Sequence, residues 1–147
     1  EEQTGRRNEN GLYLSSLLEK IPGIKPLTRG HGETLHPYHL FIFRYDKTRF
    51  GNTPKKQFAE MLSAEGVPCF MGYPEPLYRQ PVFLNRNFMC YALPEDVNYS
   101  SVSCPVAENA CYNEAVWIMQ HAMLGDSHDM ESIAEAIKKI QQSLTLQ

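Results

Sequence analysis

Residues 37 to 45 read PYHLFIFRY, and this stretch decides how the chain folds. It is short for a helix and rich in the aromatic and branched residues that strands favour. In a strand, alternation places Tyr38, Leu40, Ile42 and Arg44 on one face, and His39, Phe41, Phe43 and Tyr45 on the other. Both faces are mostly apolar, so this strand needs packed material on each side, and the chain has few helices with which to supply it.

Three longer segments are predicted to form helices around this strand. Residues 6 to 21 carry apolar side chains at three- and four-residue spacing until Pro22-Gly23 ends the pattern. A second helix is predicted from the N-cap Thr53, with Pro54 in its first turn, to Gly66. The third starts at Asp126 or Ser127. Its apolar face comprises Met130, Ile133, Ile137, Ile140 and Leu144.

Two more strands and a short helix complete the predicted order. VPCFM at 67 to 71 and AVWIM at 115 to 119 are predicted strands, and Cys104-Pro105 starts a short helix to about Cys111. Residues 84 to 103 are predicted to be mostly loop. The order α-β-α-β-loop-α-β-α indicates one domain over residues 1 to 147, with an α+β fold whose small mixed or antiparallel sheet is covered by helices.

A stiff aromatic segment, GYPEPLYRQPVF, follows the second predicted strand at residues 72 to 83. Its three prolines each remove a backbone donor and fix φ, which argues against both a helix and a central strand. A connector held this rigid suggests a contact surface. Tyr73 and Tyr78 offer an apolar ring with one hydroxyl, and Arg79 can bind a phosphate or carboxylate in bidentate fashion.

Composition excludes several classes of protein. The formal net charge is −3, which is unlike the basic surface of a nucleic-acid-binding protein. No apolar run approaches the ~20 residues that a membrane-spanning helix needs. The four cysteines form no CxxC pair, so we expect free thiols and a cytoplasmic location.

The residues alone indicate neither a metal site nor a catalytic group. His36 and His39 are the only closely spaced imidazoles, and the intervening Pro37 disrupts helical metal-ligand spacing. Several lysines lie in polar sequence settings that predict exposure, unlike the desolvated lysine of Schiff-base chemistry. They are Lys20, Lys25, Lys47, Lys55, Lys56, Lys138 and Lys139.

Five stretches in this order carry a family resemblance. They are RRNENGLYLSSLLEKIPGI, HPYHLFIFRYD, FAEMLSAEGVPCFMGYPEPLYRQPVF, CPVAENACYNEAVWI and DMESIAEAIKKI. Together they cover nearly the whole chain and resemble the C-terminal small domain of the DegT/DnrJ/EryC1/StrS aminotransferases. These enzymes use pyridoxal phosphate (PLP) to aminate keto sugars and related cyclic ketones.

The resemblance implies a fold-type I dimer in which a large domain, absent from these residues, carries the Schiff-base lysine and binds PLP. This chain would then be about the last third of such an enzyme and not catalytic alone. The amino donor would be Glu or Gln. A rival interpretation is a free-standing binding or regulatory module that kept the small-domain fold.

The resemblance also gives the stiff segment a role. In the family, the loop after the EG(V/I)P strand faces the active site and helps to close over the substrate. Tyr73 falls where family members place an aromatic residue near the ketone, and Tyr78 and Arg79 are further candidate substrate contacts. Many nucleotide-sugar members have a His before that aromatic, whereas this sequence has Gly72. The difference favours the branch that aminates cyclitols or aminohydroxybenzoate precursors.

Overall fold

The structure, a computed structural model, describes residues 1–91 and 96–146. Within these ranges the α-helices are α1 (Glu2–Leu18), α2 (Lys55–Ala64), α3 (Pro81–Leu84), α4 (Pro105–Asn109) and α5 (Ser127–Thr145). The strands are β1 (Ile24–Pro26), β2 (Leu40–Tyr45), β3 (Cys69–Phe70) and β4 (Ala115–Met119). A π-helical turn, Ala110–Glu114, connects α4 directly to β4.

The strands form one sheet in the order β1-β2-β4-β3, and every neighbouring pair is antiparallel. The predicted α+β fold with a helix-covered sheet is therefore confirmed. Trp117 of β4 lies in the middle of this sheet, opposite Ile42 on one side and Phe70 on the other. Strand β1 was not predicted, because three residues are too few to show an alternating pattern.

One face of β2 forms the centre of the hydrophobic core. Phe41, Phe43 and Tyr45 are at most 2% exposed and lie under the helices. Phe58 of α2 stacks on Tyr45 with the ring centroids 4.3 Å apart and meets Phe43 edge-on at 6.4 Å. Helix α5 adds its predicted apolar face, of which Met130, Ile133, Ile137 and Ile140 are buried and Leu144 packs at the margin.

The chain does not cover the opposite face of the sheet to the same extent. Leu40 and Ile42 of β2 are half-buried, Arg44 is exposed and Phe70 of β3 is 41% exposed. The described helices therefore cover one face, although the sequence of β2 is apolar on both. We define the surface formed by Leu40, Ile42, Phe70, Trp117 and Met119 as the open sheet face.

The strand β2 starts later than predicted because the backbone turns at Tyr38. Tyr38 has a φ of +42°, which is outside the β region, and its ring is buried against Gly11 of α1. A Cβ at Gly11 would lie 2.5 Å from that ring, so only glycine fits there. The predicted strand positions of residues 37 to 39 are therefore wrong.

Two predicted helix boundaries need correction. Helix α1 spans Glu2–Leu18 and not 6 to 21. Thr53 does not cap α2: Pro54 occupies the N-cap position and Lys55 is the first helical residue. Thr53 is buried instead, and its carbonyl oxygen accepts a hydrogen bond of 2.9 Å from the Tyr45 hydroxyl.

The proline-rich segment contains short helical turns, so the prediction that it holds no helix is wrong. Leu77–Arg79 forms a 3₁₀ turn and Pro81–Leu84 forms α3. Pro81 stands at the first position of α3, where the missing N–H has no intrahelical partner in any case. In the loop predicted for residues 84 to 103, Tyr99–Ser101 is a 3₁₀ turn, and residues 92 to 95 lie outside the described residues.

At the C-terminal end, the capping prediction is confirmed with Asp126 as the N-cap. Its carboxylate accepts from the Asp129 N–H at 3.0 Å, and the Asp129 carboxylate accepts from the Asp126 N–H at 2.9 Å. This reciprocal pair is a capping box and explains where α5 begins. None of the described helices combines the length and the hydropathy that a membrane span requires.

We expect Phe58→Ala to destabilise the fold strongly, because the cavity would open between Phe43, Tyr45 and Phe50. Removing a buried phenyl ring costs about 3–5 kcal/mol of unfolding free energy. Urea denaturation of the 147-residue chain measures this loss. Phe70→Ala is the matched control, since this ring is 41% exposed, and it should cost much less. Equal losses in the two variants would contradict this description of the core.

A second prediction concerns the open sheet face. Apolar patches of several hundred Å² bind hydrophobic dyes and promote association. We expect the chain to bind such a dye and Ile42→Thr to reduce the dye fluorescence, because threonine keeps the branched shape but adds a hydroxyl to this face. The control is Leu146→Ser, at an 87% exposed site outside the sheet. Equal fluorescence in the wild type and Ile42→Thr would show that the dye does not use this face.

Candidate functional site

The segment after β3 crosses the open sheet face directly above Trp117. Gly72 adopts a φ of +73°, and a Cβ there would lie 2.7 Å from the indole ring. Both the left-handed backbone and the close approach therefore require glycine at this position. Trp117 is thus a local structural reason for glycine at position 72.

Tyr73 extends from this crossing toward solvent. Its ring meets Trp117 edge-on, with centroids 5.0 Å apart and planes at 87°, and the residue is 67% exposed. Phe70 approaches the indole from β3 at 6.2 Å. The three rings form an aromatic surface on the open sheet face, with one tyrosine hydroxyl available beside it. We call Phe70, Tyr73 and Trp117 the aromatic surface.

Tyr78 and Arg79 are placed differently from Tyr73, because their polar groups contact the chain's own Glu108. The Tyr78 hydroxyl donates to Glu108 Oε1 and accepts from the Cys104 N–H at 3.1 Å. Arg79 Nη2 donates to the same carboxylate oxygen at 3.0 Å. The hydrogen bonds from Tyr78 and then from Arg79 lower the pKa of Glu108. This cluster fastens the 3₁₀ turn to α4.

Lys55 holds the other end of the segment. The prediction that this lysine is exposed was wrong. Lys55 is only 7% exposed, not in an exposed polar setting. Its ammonium donates to the Cys111 carbonyl at 2.6 Å and to the Met71 carbonyl at 3.1 Å. Burial lowers the pKa of this ammonium. Met71 immediately precedes Gly72, so the lysine contacts the chain where the crossing begins.

The structure therefore holds a short span between two fixed ends. Lys55 binds the backbone before Gly72, and Glu108 binds the side chains at 78 and 79. Between them Tyr73 and Leu77 are 67% and 71% exposed, whereas Pro76 is buried. Such a span presents Tyr73 in one position without the ordering cost of a mobile loop, ~1 kcal/mol or more per residue.

Two clefts differ in size and in how close they lie to the proline-rich segment. A cleft of about 190 Å³ lies beside the segment and is lined by Glu75, Tyr78, Arg79, Tyr99 and Tyr112 among others. A larger cleft of about 470 Å³ lies at the end of α2 and the start of α5, lined by Glu65, His121 and Asp129 among others. In that larger cleft Glu65 is paired with Lys139, and Asp129 closes the capping box. Of these two, the smaller cleft is the one lined by residues of the proline-rich segment.

The histidines do not assemble a metal site in the part of the chain that the structure describes. His36 Nδ1 accepts from the Tyr38 N–H at 3.0 Å, and His39 is exposed. No group of three or more His, Cys, Asp or Glu residues in residues 1–91 and 96–146 is arranged to hold a metal ion. The four cysteines all carry free thiols.

The amine of Lys55 is not free to bond to PLP. A lysine that bonds to PLP needs a free amine facing a cavity. Lys55 is desolvated, but its ammonium is already bound by two carbonyl oxygens. The described residues can instead supply a stacking surface and one hydroxyl for a ring-shaped ligand with hydroxyl groups.

Sequence reasoning singled out Tyr73 as a candidate and did not single out Trp117, Lys55 or Glu108, which contact its segment. Trp117 looked like an ordinary strand residue, and Glu108 lies in a short polar helix. Their roles depend on contacts across 30 to 56 residues, which no local pattern reports. One signal was available: Gly72 directly before an aromatic residue indicates a close backbone approach.

Comparison with known proteins supports the resemblance. The model of the DegT/DnrJ/EryC1/StrS aminotransferase family matches residues 1–138. The L-glutamine:2-deoxy-scyllo-inosose aminotransferases of Streptomyces paromomycinus and Streptoalloteichus tenebrarius are 28% and 27% identical, each over 95% of this chain. The chain spans only 34% of the length of each.

Solved structures show the same fold. The crystal structure of 3-amino-5-hydroxybenzoic acid (AHBA) synthase matches 97% of this chain with a TM-score of 0.73 at 22% identity. An aminotransferase from Streptoalloteichus hindustanus matches 97% with a TM-score of 0.62 at 20% identity. The chain covers 35% and 32% of these two structures. With its sequence matched over residues 1–138, the chain belongs to the DegT/DnrJ/EryC1/StrS aminotransferase family.

Proposed function

We propose that the chain is the C-terminal domain of a PLP-dependent aminotransferase that transfers an amino group from Glu or Gln to a cyclic ketone. The observation that carries this proposal is the exposed Tyr73, held above Trp117 in a chain whose sequence matches an aminotransferase family. An exposed aromatic residue with both ends of its segment fixed is suited to contacting a ligand. Packing alone would bury it.

The proposed acceptor is a cyclitol-like ketone with several hydroxyl groups. The named relatives act on 2-deoxy-scyllo-inosose with L-glutamine as donor, which supports both halves of the proposal. Tyr73 would place its ring against the apolar face of the acceptor and hydrogen-bond one hydroxyl group. Tyr78 and Arg79, also candidate contacts, would act mainly by anchoring the segment, because Glu108 already uses their polar groups.

The remaining parts of the activity would come from outside these residues. In this proposal a large domain carries PLP and the lysine that bonds to it, and the enzyme works in the cytoplasm as a homodimer. PLP supplies the electron sink through which the amino group moves. The open sheet face would then pack against that large domain, which would cover Leu40 and Ile42.

The main test separates the two half-reactions in the complete enzyme that contains this chain. Tyr73→Phe keeps the ring and removes only the hydroxyl, so one hydrogen bond to a neutral acceptor group is lost. We expect a cost of about 0.5–1.5 kcal/mol, roughly a two- to tenfold loss in kcat/KM for the acceptor. Tyr73→Ala should cost more, because the ring surface is lost too.

The donor half-reaction and a remote tyrosine provide the controls. Neither Tyr73 variant should change amino transfer from Glu or Gln if Tyr73 contacts only the acceptor. Tyr13→Phe on α1 also removes one hydroxyl, which hydrogen-bonds Glu131 far along the chain, and should leave both half-reactions unchanged. Equal losses in both half-reactions for Tyr73→Phe, or a large fall in its Tm, would show that Tyr73 is a packing residue.

A separate test concerns the cofactor. We expect the 147-residue chain mixed with PLP to form no stoichiometric adduct, because its one buried lysine among the described residues donates to two carbonyls. Absorbance spectra before and after borohydride treatment, followed by peptide mass mapping, measure this. A 1:1 adduct on a single lysine would contradict the assignment of the PLP lysine to another part of the enzyme.

A further inference from the structure

Lys55 occupies a position that is unfavourable for its charge in two ways. It is the first residue of α2, where the positive end of the helix dipole repels a cation. Lys55 is also buried, with an exposed fraction of 7%. Its ammonium therefore loses most of its hydration. The first turn of α2 has no acidic side chain to offset the charge.

The contacts that compensate this charge all come from backbone carbonyls of two other segments. Met71 belongs to the start of the Tyr73 segment, and Cys111 belongs to the π-helical turn before β4. Both carbonyls lie outside the sheet, since β3 ends at Phe70 and β4 begins at Ala115. The ammonium thus joins α2 to both segments just outside the strands.

We infer that Lys55 is a positioning residue, which holds the Met71–Gly72 backbone against Trp117 and so fixes where Tyr73 stands. Met71 is the last anchored residue before the left-handed turn at Gly72. Glu108 fixes the segment only from Tyr78 onward. Without the lysine, the start of the segment would depend on the two-residue strand β3 and on the packing of Gly72 against Trp117. The expected effect of Lys55 on acceptor binding rests on the proposed function. The effect of Lys55 on the position of the segment does not depend on that function.

Trp117 reports the position of this segment, because it is the only tryptophan of the chain. Gly72 packs on its ring and Tyr73 meets it edge-on. If the segment lifts away, solvent reaches the indole. Tryptophan emission then shifts to longer wavelength, and quenching by acrylamide becomes more efficient. This readout needs neither cofactor nor substrate.

The experiment compares four variants of the 147-residue chain. Lys55→Met keeps the aliphatic length and removes the donor. Lys56→Met is the matched control, because the side chain of this neighbouring lysine is exposed. Its contact with Glu60 is a long ion pair of 4.0 Å. Gly72→Ala is the positive control for a displaced segment, since its Cβ cannot fit 2.7 Å from the indole. Far-UV circular dichroism checks that each variant is folded.

We expect Lys55→Met to shift the emission and raise the quenching constant toward the values of Gly72→Ala, while Lys56→Met matches the wild type. Lys55→Arg, which keeps two or more donors, should restore part of the wild-type protection. If Lys55→Met does not fold, Lys55→Gln, whose amide is shorter and carries no charge, is measured in its place with the same expected result. Wild-type emission and quenching in the folded neutral variant would overturn the inference.

Activity measurements then separate this inference from the proposed function. In the complete enzyme, Lys55→Met should lower kcat/KM for the acceptor as Tyr73→Ala does and leave the donor half-reaction unchanged. A fluorescence change without any effect on the acceptor would keep Lys55 as the residue that holds the segment and count against Tyr73 as a substrate contact. An unchanged fluorescence signal would overturn the inference whatever the activity shows.

Discussion

The one-sided burial of β2 is the constraint on which the rest of this structure depends. Phe41, Phe43 and Tyr45 pack under the helices, and the stack of Tyr45 on Phe58 fixes α2 over the sheet. Because side chains alternate along a strand, the same register turns Ile42 toward the other face. That face receives no helix from the described chain. The site is built on the surface that this asymmetry leaves open.

A segment that crosses an open sheet face has few backbone hydrogen-bond partners. In this chain, side-chain hydrogen bonds hold the two ends of the segment. Lys55 binds the carbonyl at the start of the crossing, while Glu108 binds the hydroxyl and guanidinium at its end. Both fastenings involve the short region from Cys104 to Cys111. The π-helical turn that follows brings this region beside β4. A region of irregular backbone thus serves as the base of the site.

The sequence predicted those features that depend on local pattern and missed those that depend on distant contacts. The long helices, β4 and the cap of α5 at Asp126 follow from periodicity and capping chemistry, and all are present. The prolines misled the prediction, because Pro81 is compatible with the first turn of a helix. Lys55 appeared exposed because its sequence neighbours are polar. Its burial depends on Met71 and Cys111, which no window around position 55 contains.

Gly72 and Trp117 are best understood as one structural unit. The left-handed φ of +73° and the 2.7 Å approach of a built Cβ to the indole each exclude a side chain at position 72. A histidine there would need both a different backbone and a smaller residue on β4. The indole ring of Trp117 therefore occupies the space that such a side chain would need. The same ring contacts Tyr73 edge-on. The surface formed by Phe70, Tyr73 and Trp117 therefore combines three aromatic rings with one tyrosine hydroxyl and no side chain at position 72.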